Sequence, residues 1–286
     1  MDAPPEQEDC KPFIRISGYL EAMQLNAPRI LEANLDDGFL LLTDLGSTQY
    51  LERLQDDECA STALYADALQ ALSVLQRRGA VFQSHLPPYD DDLLRFELSL
   101  FHDWLCEKHI GINFSDDDER HWAEVSDLLV SNALDQPQVF VHRDFHSRNL
   151  MVTEHDSPGI LDFQDAVEGP LTYDLVSLLK DCYVQWPQQK VADLARSFYA
   201  MSDAPIRQQV DEKQFMRYFE LMGVQRHLKA AGIFARLNHR DGKPGYMADV
   251  PRTLSYVVAL GDRYEELAFL IDLVSERVLP ALQESQ

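Results

Sequence analysis

The chain has 286 residues, of which 45% are apolar and 26% charged, and its 48 acids against 25 bases leave a formal net charge of -23. That length allows two lobes or one large domain with a substantial core, and the composition is that of a soluble globular protein. So negative a field repels nucleic acid and anionic membranes at long range; neither is expected as a partner, and an anionic ligand must be held by local cations, backbone amides and metal.

The opening, Met1 to Glu6, has neither the basic region nor the apolar run of a signal peptide, so a cytoplasmic protein is expected. Phe13, Ile16, Tyr19, Leu20 and Met23 recur at helical spacing, and Ala27-Pro28 is the expected stop of that helix. A short extended piece, Arg29 to Ala33, then meets an Asp36-Asp37-Gly38 turn and the run from Phe39 to Leu45, a hairpin signal. From about Ser47 the pattern becomes helical, with helices expected over 60–77, 93–108 and 119–133. Two short apolar pieces, Gln138 to Val141 and Gly159 to Phe163, interrupt it. Helices resume over 175–183, 191–199 and 211–237, and from Pro251 to the C-terminus. No apolar run is long enough to span a bilayer. Cys10, Cys59, Cys106 and Cys182 form no C-x-x-C pair, which suits a reducing compartment.

Between the two interrupting pieces stands His142-Arg143-Asp144, followed at the fifth position after the Asp by Asn149, the spacing H-R-D-x-x-x-x-N of a phosphotransfer catalytic loop. Asp162 then arrives on what is expected to be a strand, Ile160 to Phe163. Phosphoryl transfer needs a carboxylate to align a hydroxyl and accept its proton, the role expected of Asp144. It also needs hard oxygen ligands for Mg2+ beside the phosphates of ATP, the role expected of Asn149 and Asp162. His142 is expected to bond backbone near the loop and His146 to lie at the surface or behind the site. A competing metallohydrolase scheme would use His142, Asp144 and His146 with His155 as a further ligand, but it gives Asn149 and Asp162 no task.

These residues resemble the aminoglycoside phosphotransferase and choline kinase group, which carries H-x-D-x-x-x-x-N followed by a strand with I/L-D-F. The resemblance extends over essentially the whole chain. Leu161 to Ala166, Gly169-Pro170, Tyr173 to Asp181, Gln225 to Leu237 and Arg240 to Lys243 resemble bacterial anomeric N-acetylmuramate/N-acetylglucosamine 1-kinases. It implies a two-lobed, protein-kinase-like α/β (α+β) fold, with an incomplete N-terminal sheet over 1–46 and a large helical lobe over 47–286.

It also implies ATP and magnesium as cofactors and a small sugar as acceptor, phosphorylated at its anomeric hydroxyl. An aminoglycoside or amino alcohol kinase, or a kinase-like remnant that only binds, are the alternatives. By position, adenine would meet the Thr43 carbonyl and the Leu45 amide, although a plain strand and turn accounts for both equally well. Tyr89, Asp90, Arg148, Asp165 and Arg226 are the candidates for the sugar pocket. Asp174 would brace the catalytic loop or cap its own helix. No Gly-rich loop or strand lysine is present, and Lys11 is in the wrong element, so the opening resembles the middle of a family member's N-terminal lobe and the sequence is expected to be truncated there.

Overall fold

A computed structural model describes residues 1–4, 6, 9–56 and 60–284; Cys59 is outside the described residues. Helix α1 (Cys10–Ala22) begins where the Asp9 carboxylate accepts from the Lys11 N–H. Its apolar stripe, Phe13, Ile16 and Leu20, is buried. The helix ends before Ala27-Pro28, because Gln24 turns left-handed at φ 61° and the Arg78 guanidinium donates to the Met23 carbonyl at 2.6 Å.

Strands β1 (Ile30–Asn34) and β2 (Phe39–Leu42) pair antiparallel around a turn whose last residue, Gly38, has φ 74°, a backbone region glycine enters without steric cost. The chain start runs along β2, with Leu40 N–H donating to the Met1 carbonyl at 3.1 Å and Ala3 N–H to the Gly38 carbonyl at 3.0 Å. Leu31, Phe39 and Leu41 of this hairpin are exposed at 58%, 52% and 58%. The ladder stops at Leu42, short of the expected Leu45.

Helices α2 (Tyr50–Asp56) and α3 (Ser61–Gly79) follow. The segment expected as one helix to Lys108 is α4 (Asp91–Leu100) running into π-helical turns over Phe101–His109. Helix α5 (Asp116–Leu134) opens with a reciprocal Ser115–Asp118 capping box. Four short strands then frame the centre of the molecule: β3 (Gln138–Val141), β4 (Leu150–Met151), β5 (Gly159–Ile160) and β6 (Val167–Pro170). β3 pairs with β6, and β4 with β5, both antiparallel.

Helix α6 (Tyr173–Leu179) stops four residues before the expected Tyr183, and Asp181 beyond it uses its carboxylate to accept from the Ser147 and Tyr183 N–H groups, both at 3.0 Å. After α7 (Gln188–Met201) and α8 (Ala204–Gln209) comes α9 (Glu212–Asp241), the 30-residue helix at the centre of the helical region. α10 (Val250–Val258), α11 (Ala268–Asp272) and α12 (Leu279–Glu284) complete the chain. The helical stretch expected from Pro251 is interrupted around Gly261, at φ 50°. No helix among the described residues is long and apolar enough to cross a membrane. Cys10, Cys106 and Cys182 are buried free thiols.

The α-to-π change after Leu100 lies against Gly232 of α9. A Cβ on Gly232 would stand 2.3 Å from the Leu100 carbonyl carbon and 2.5 Å from the Phe101 nitrogen. These are backbone atoms and cannot swing aside, so Gly232→Ala should destabilise the fold by about 3 kcal/mol. Urea unfolding measures this; an unchanged midpoint would mean that the two helices separate freely.

Candidate active site

The sequence from β3 to β5 is a frame for one loop. β3 delivers His142, β4 receives the chain at Leu150, and β5 returns so that Leu161 N–H donates to the Asn149 carbonyl at 2.9 Å. Arg143 adopts φ 77°, a strained left-handed turn for a long side chain. The Asp174 carboxylate stabilises that turn by accepting from both the His142 and Arg143 N–H groups, at 2.7 and 3.0 Å. Asp174 therefore braces the loop and does not cap its own helix, whose N-cap is Thr172. Burial pushes the Asp174 carboxyl up to about 7, opposed by these two donors.

The loop brings the expected carboxylates and amide together. Asn149 Nδ2 donates to the Asp144 carbonyl and to Asp162 Oδ2, each at 3.1 Å, which leaves its Oδ1 without a protein partner among the described residues. Asp162 lies two residues beyond β5, at φ 62°, and so is not strand-borne as expected; Asp tolerates this left-handed conformation better than most residues. The two oxygen-bearing side chains form a hard donor set of the kind that suits magnesium.

Asp144 opens into a cavity of about 270 Å³ that also receives His146, Arg148, Asn149, Asp162, Arg226 and Lys229. Tyr183, Phe234 and Tyr246 form its aromatic wall. Burial raises the Asp144 carboxyl, but Lys229 leads the positive neighbours that outweigh it and hold it below the ordinary carboxylate range. His146, expected at the surface or behind the site, lines this cavity 3.9 Å from Asp144. His142 is fully buried, which lowers its imidazole to about 4, and its Nδ1 accepts from the Asp144 N–H at 3.2 Å. It is therefore neutral and occupied with the loop backbone.

Among the sugar-pocket candidates, Arg148 and Arg226 line the cavity. Arg148 stacks 3.8 Å from the Tyr183 ring centroid, and Arg226 donates to Ser177 Oγ at 2.6 Å. Tyr89, Asp90 and Asp165 are not brought there. Tyr89 is buried with its hydroxyl donating to Glu97; Asp90 caps α4 by accepting from Leu93 N–H at 3.0 Å; Asp165 is exposed outside the cavity lining. Thr43 N–H donates to the Arg29 carbonyl at 2.9 Å, while its own carbonyl and the Leu45 N–H have no partner among the described residues. Lys11 lies on α1 outside the cavity lining. The metallohydrolase set fails, because His142 is enclosed and His155 sits in a turn outside the cavity.

Glu97 and Lys229 were not expected. Glu97 is 2% exposed, and it accepts from Arg143 at 2.5 Å, Lys229 at 2.8 Å, Gln225 at 3.2 Å and Tyr89. Burial opposes the Lys229 charge, but Tyr173 and Glu97 keep its ammonium above its usual value. Both were findable: Leu94, Glu97, Leu98 and Phe101 share one helical face, and Lys229 falls three residues after Arg226.

Comparison with known proteins agrees with this geometry. The phosphotransferase enzyme family matches residues 1–212. An N-acetylmuramate/N-acetylglucosamine kinase of Pseudomonas aeruginosa is 46% identical over 276 residues, covering 96% of this chain and 80% of that protein. Among solved structures, an ethanolamine kinase of Plasmodium vivax superposes with a TM-score of 0.59 at 15% identity, over 86% of this chain and 72% of that one. An ADP-bound aminoglycoside phosphotransferase does so with a TM-score of 0.54 at 17% identity, over 87% and 81%. The fold is therefore that of the protein-kinase-like phosphotransferases.

Proposed function

The chain belongs to the phosphotransferase enzyme family, and on that premise we propose that it transfers the γ-phosphoryl of ATP to the anomeric hydroxyl of N-acetylmuramate or N-acetylglucosamine in cytoplasmic cell-wall recycling. One observation carries the reading. The Asp144 carboxylate opens into a cavity of about 270 Å³, a volume that suits one sugar ring, beside Asn149 and Asp162.

In this scheme Asp144, kept ionised by Lys229, orients the acceptor hydroxyl and takes its proton. Asn149 Oδ1 and the Asp162 carboxylate hold magnesium, which when bound neutralises charge on the phosphates. The free Thr43 carbonyl and Leu45 N–H take the adenine edge. Arg148 and Arg226 meet the polar groups of the sugar, and Tyr183 and Tyr246 its apolar face.

The cavity wall also discriminates between acceptors. Its acids, Asp144 and Asp162, are committed to chemistry and metal, and the rest of its charge is Arg148, Arg226 and Lys229. Lys229 is paired with Glu97, so a polycationic aminoglycoside or a choline-like ammonium finds no uncommitted acid there, whereas Arg148 and Arg226 can meet the carboxylate of N-acetylmuramate. A magnesium-ATP turnover screen over both amino sugars, choline, ethanolamine and an aminoglycoside tests this. The expected product is a sugar 1-phosphate, which loses its reducing end; phosphorylation confined to the cationic acceptors would overturn the reading.

A further inference from the structure

A second cavity, of about 340 Å³, shares no lining residue with the first. The segment after α6 separates them: Cys182 and Tyr183 line the first, Lys180, Gln185 and Trp186 the second. Its walls include Phe219 of α9 and Tyr256 of α10, and Arg196 and Arg263 also border it. The volume falls in the range that accommodates small molecules.

Lys180 is the unusual member. The residue is 9% exposed, and its ammonium lies 4.7 Å over the Phe219 ring; among the described residues it makes no hydrogen bond and no ion pair within 4 Å, and the acid that acts on its charge is Glu220. Glu220, the acid in the wall, is already engaged by Arg263 through one oxygen and by the Tyr264 hydroxyl through the other. Gly223 makes room for the amine, since a Cβ there would stand 2.9 Å from Lys180 Nζ. A largely buried cation whose acid neighbour is shared with an arginine and a tyrosine is under-compensated, and an anion arriving beside it lowers that cost.

We propose that this cavity is a second ligand site, which takes a small organic anion, a carboxylate or a phosphate ester carried on a flat ring. Lys180 Nζ is the anchor, Arg196 stands at the rim, where it leaves its pairs with Asp193 (3.3 Å) and Glu212 (3.4 Å) to meet the anion, and Trp186, Phe219 and Tyr256 bury the ring. Burial lowers the Lys180 amine to about 8, so it is still mostly charged near neutrality. The site is basic on a chain whose net charge is -23, so its selectivity for anions comes from these few residues.

Calorimetric titration of phenylacetate, phenyl phosphate and uncharged phenylacetamide into the whole protein tests the assignment. At least one anion should bind wild type and Asp144→Asn alike, including in the presence of saturating magnesium-ATP and N-acetylglucosamine, and phenylacetamide should bind at least about tenfold more weakly. The tighter of the two anions identifies the headgroup. Lys180→Met, which keeps the volume and removes the charge, should weaken anion binding by about tenfold or more without lowering basal turnover. Should that variant not fold, Arg196→Gln at the rim should still weaken it severalfold. Equal affinity in these variants, equal binding of the amide, no binding of either anion, or displacement by magnesium-ATP or the sugar would each overturn the proposal.

Discussion

Asp144→Asn should lower kcat by about 10³-fold, the scale of a lost general base, while leaving the affinity for magnesium-ATP nearly unchanged. The asparagine keeps the shape of the side chain, and the loop hydrogen bonds that fix this residue run through its backbone: its N–H donates to His142 Nδ1 and its carbonyl accepts from Asn149. What is lost is the negative charge that Lys229 stabilises and that, in the proposed scheme, takes the proton of the acceptor. Asp162→Ala should behave differently, weakening magnesium-ATP binding as well as turnover, because it removes the proposed oxygen ligand and frees the Asn149 amide. Steady-state kinetics with nucleotide affinity measured separately distinguishes the two variants. Near-normal turnover of Asp144→Asn would mean that the proton leaves by another route.

Glu97→Ala should lower stability by about 3–5 kcal/mol, because it leaves the Arg143 and Lys229 charges buried without their carboxylate. For a chain of this size that corresponds to a fall in Tm of roughly 10 °C, measurable by thermal melting. Glu97→Gln should lose less, since an amide still accepts one hydrogen bond. The pH dependence has a defined sign. Burial raises the Glu97 carboxyl, but Lys229 and Arg143 outweigh it and leave it below its unfolded value, so its contribution is present above about pH 4 and fades as pH falls through the folded value. Lys229 is held above its unfolded value, so its contribution is complete below about pH 10 and is lost as pH rises further. A Tm for Glu97→Ala within about 2 °C of wild type would place the energetic weight of this cluster elsewhere.

Local pattern carried far in this chain. The hairpin was legible from Asp37-Gly38, and the catalytic loop from residue types at fixed spacing between two apolar pieces. What stayed hidden depends on contacts across the fold. β6 was unreadable because Val167 to Pro170 is too short and too rich in Gly and Pro to announce a strand; its pairing with β3 creates it. The π turns after Leu100 begin against a glycine 132 residues away in sequence. Tyr89 and Asp90 read as pocket residues because a polar side chain near a helix start gives no sign of whether it faces solvent, a cap or a buried carboxylate. Arg148 and Arg226 reached the cavity, and Lys229 with them, since one face of α9 carries both of the latter.

The two carboxylates that hold the catalytic loop come from one short piece of chain. Asp174 takes the amides at its beginning and Asp181 the amide of Ser147, and these acids stand seven residues apart, one inside α6 and the other two residues past its end. α6 and the turn after it thus serve as a ruler laid against the loop, and both of its marks are buried. Shape is imposed from behind, by groups enclosed in protein, so the loop is already set before any ligand arrives. The entropy of ordering it belongs to folding and not to each catalytic cycle.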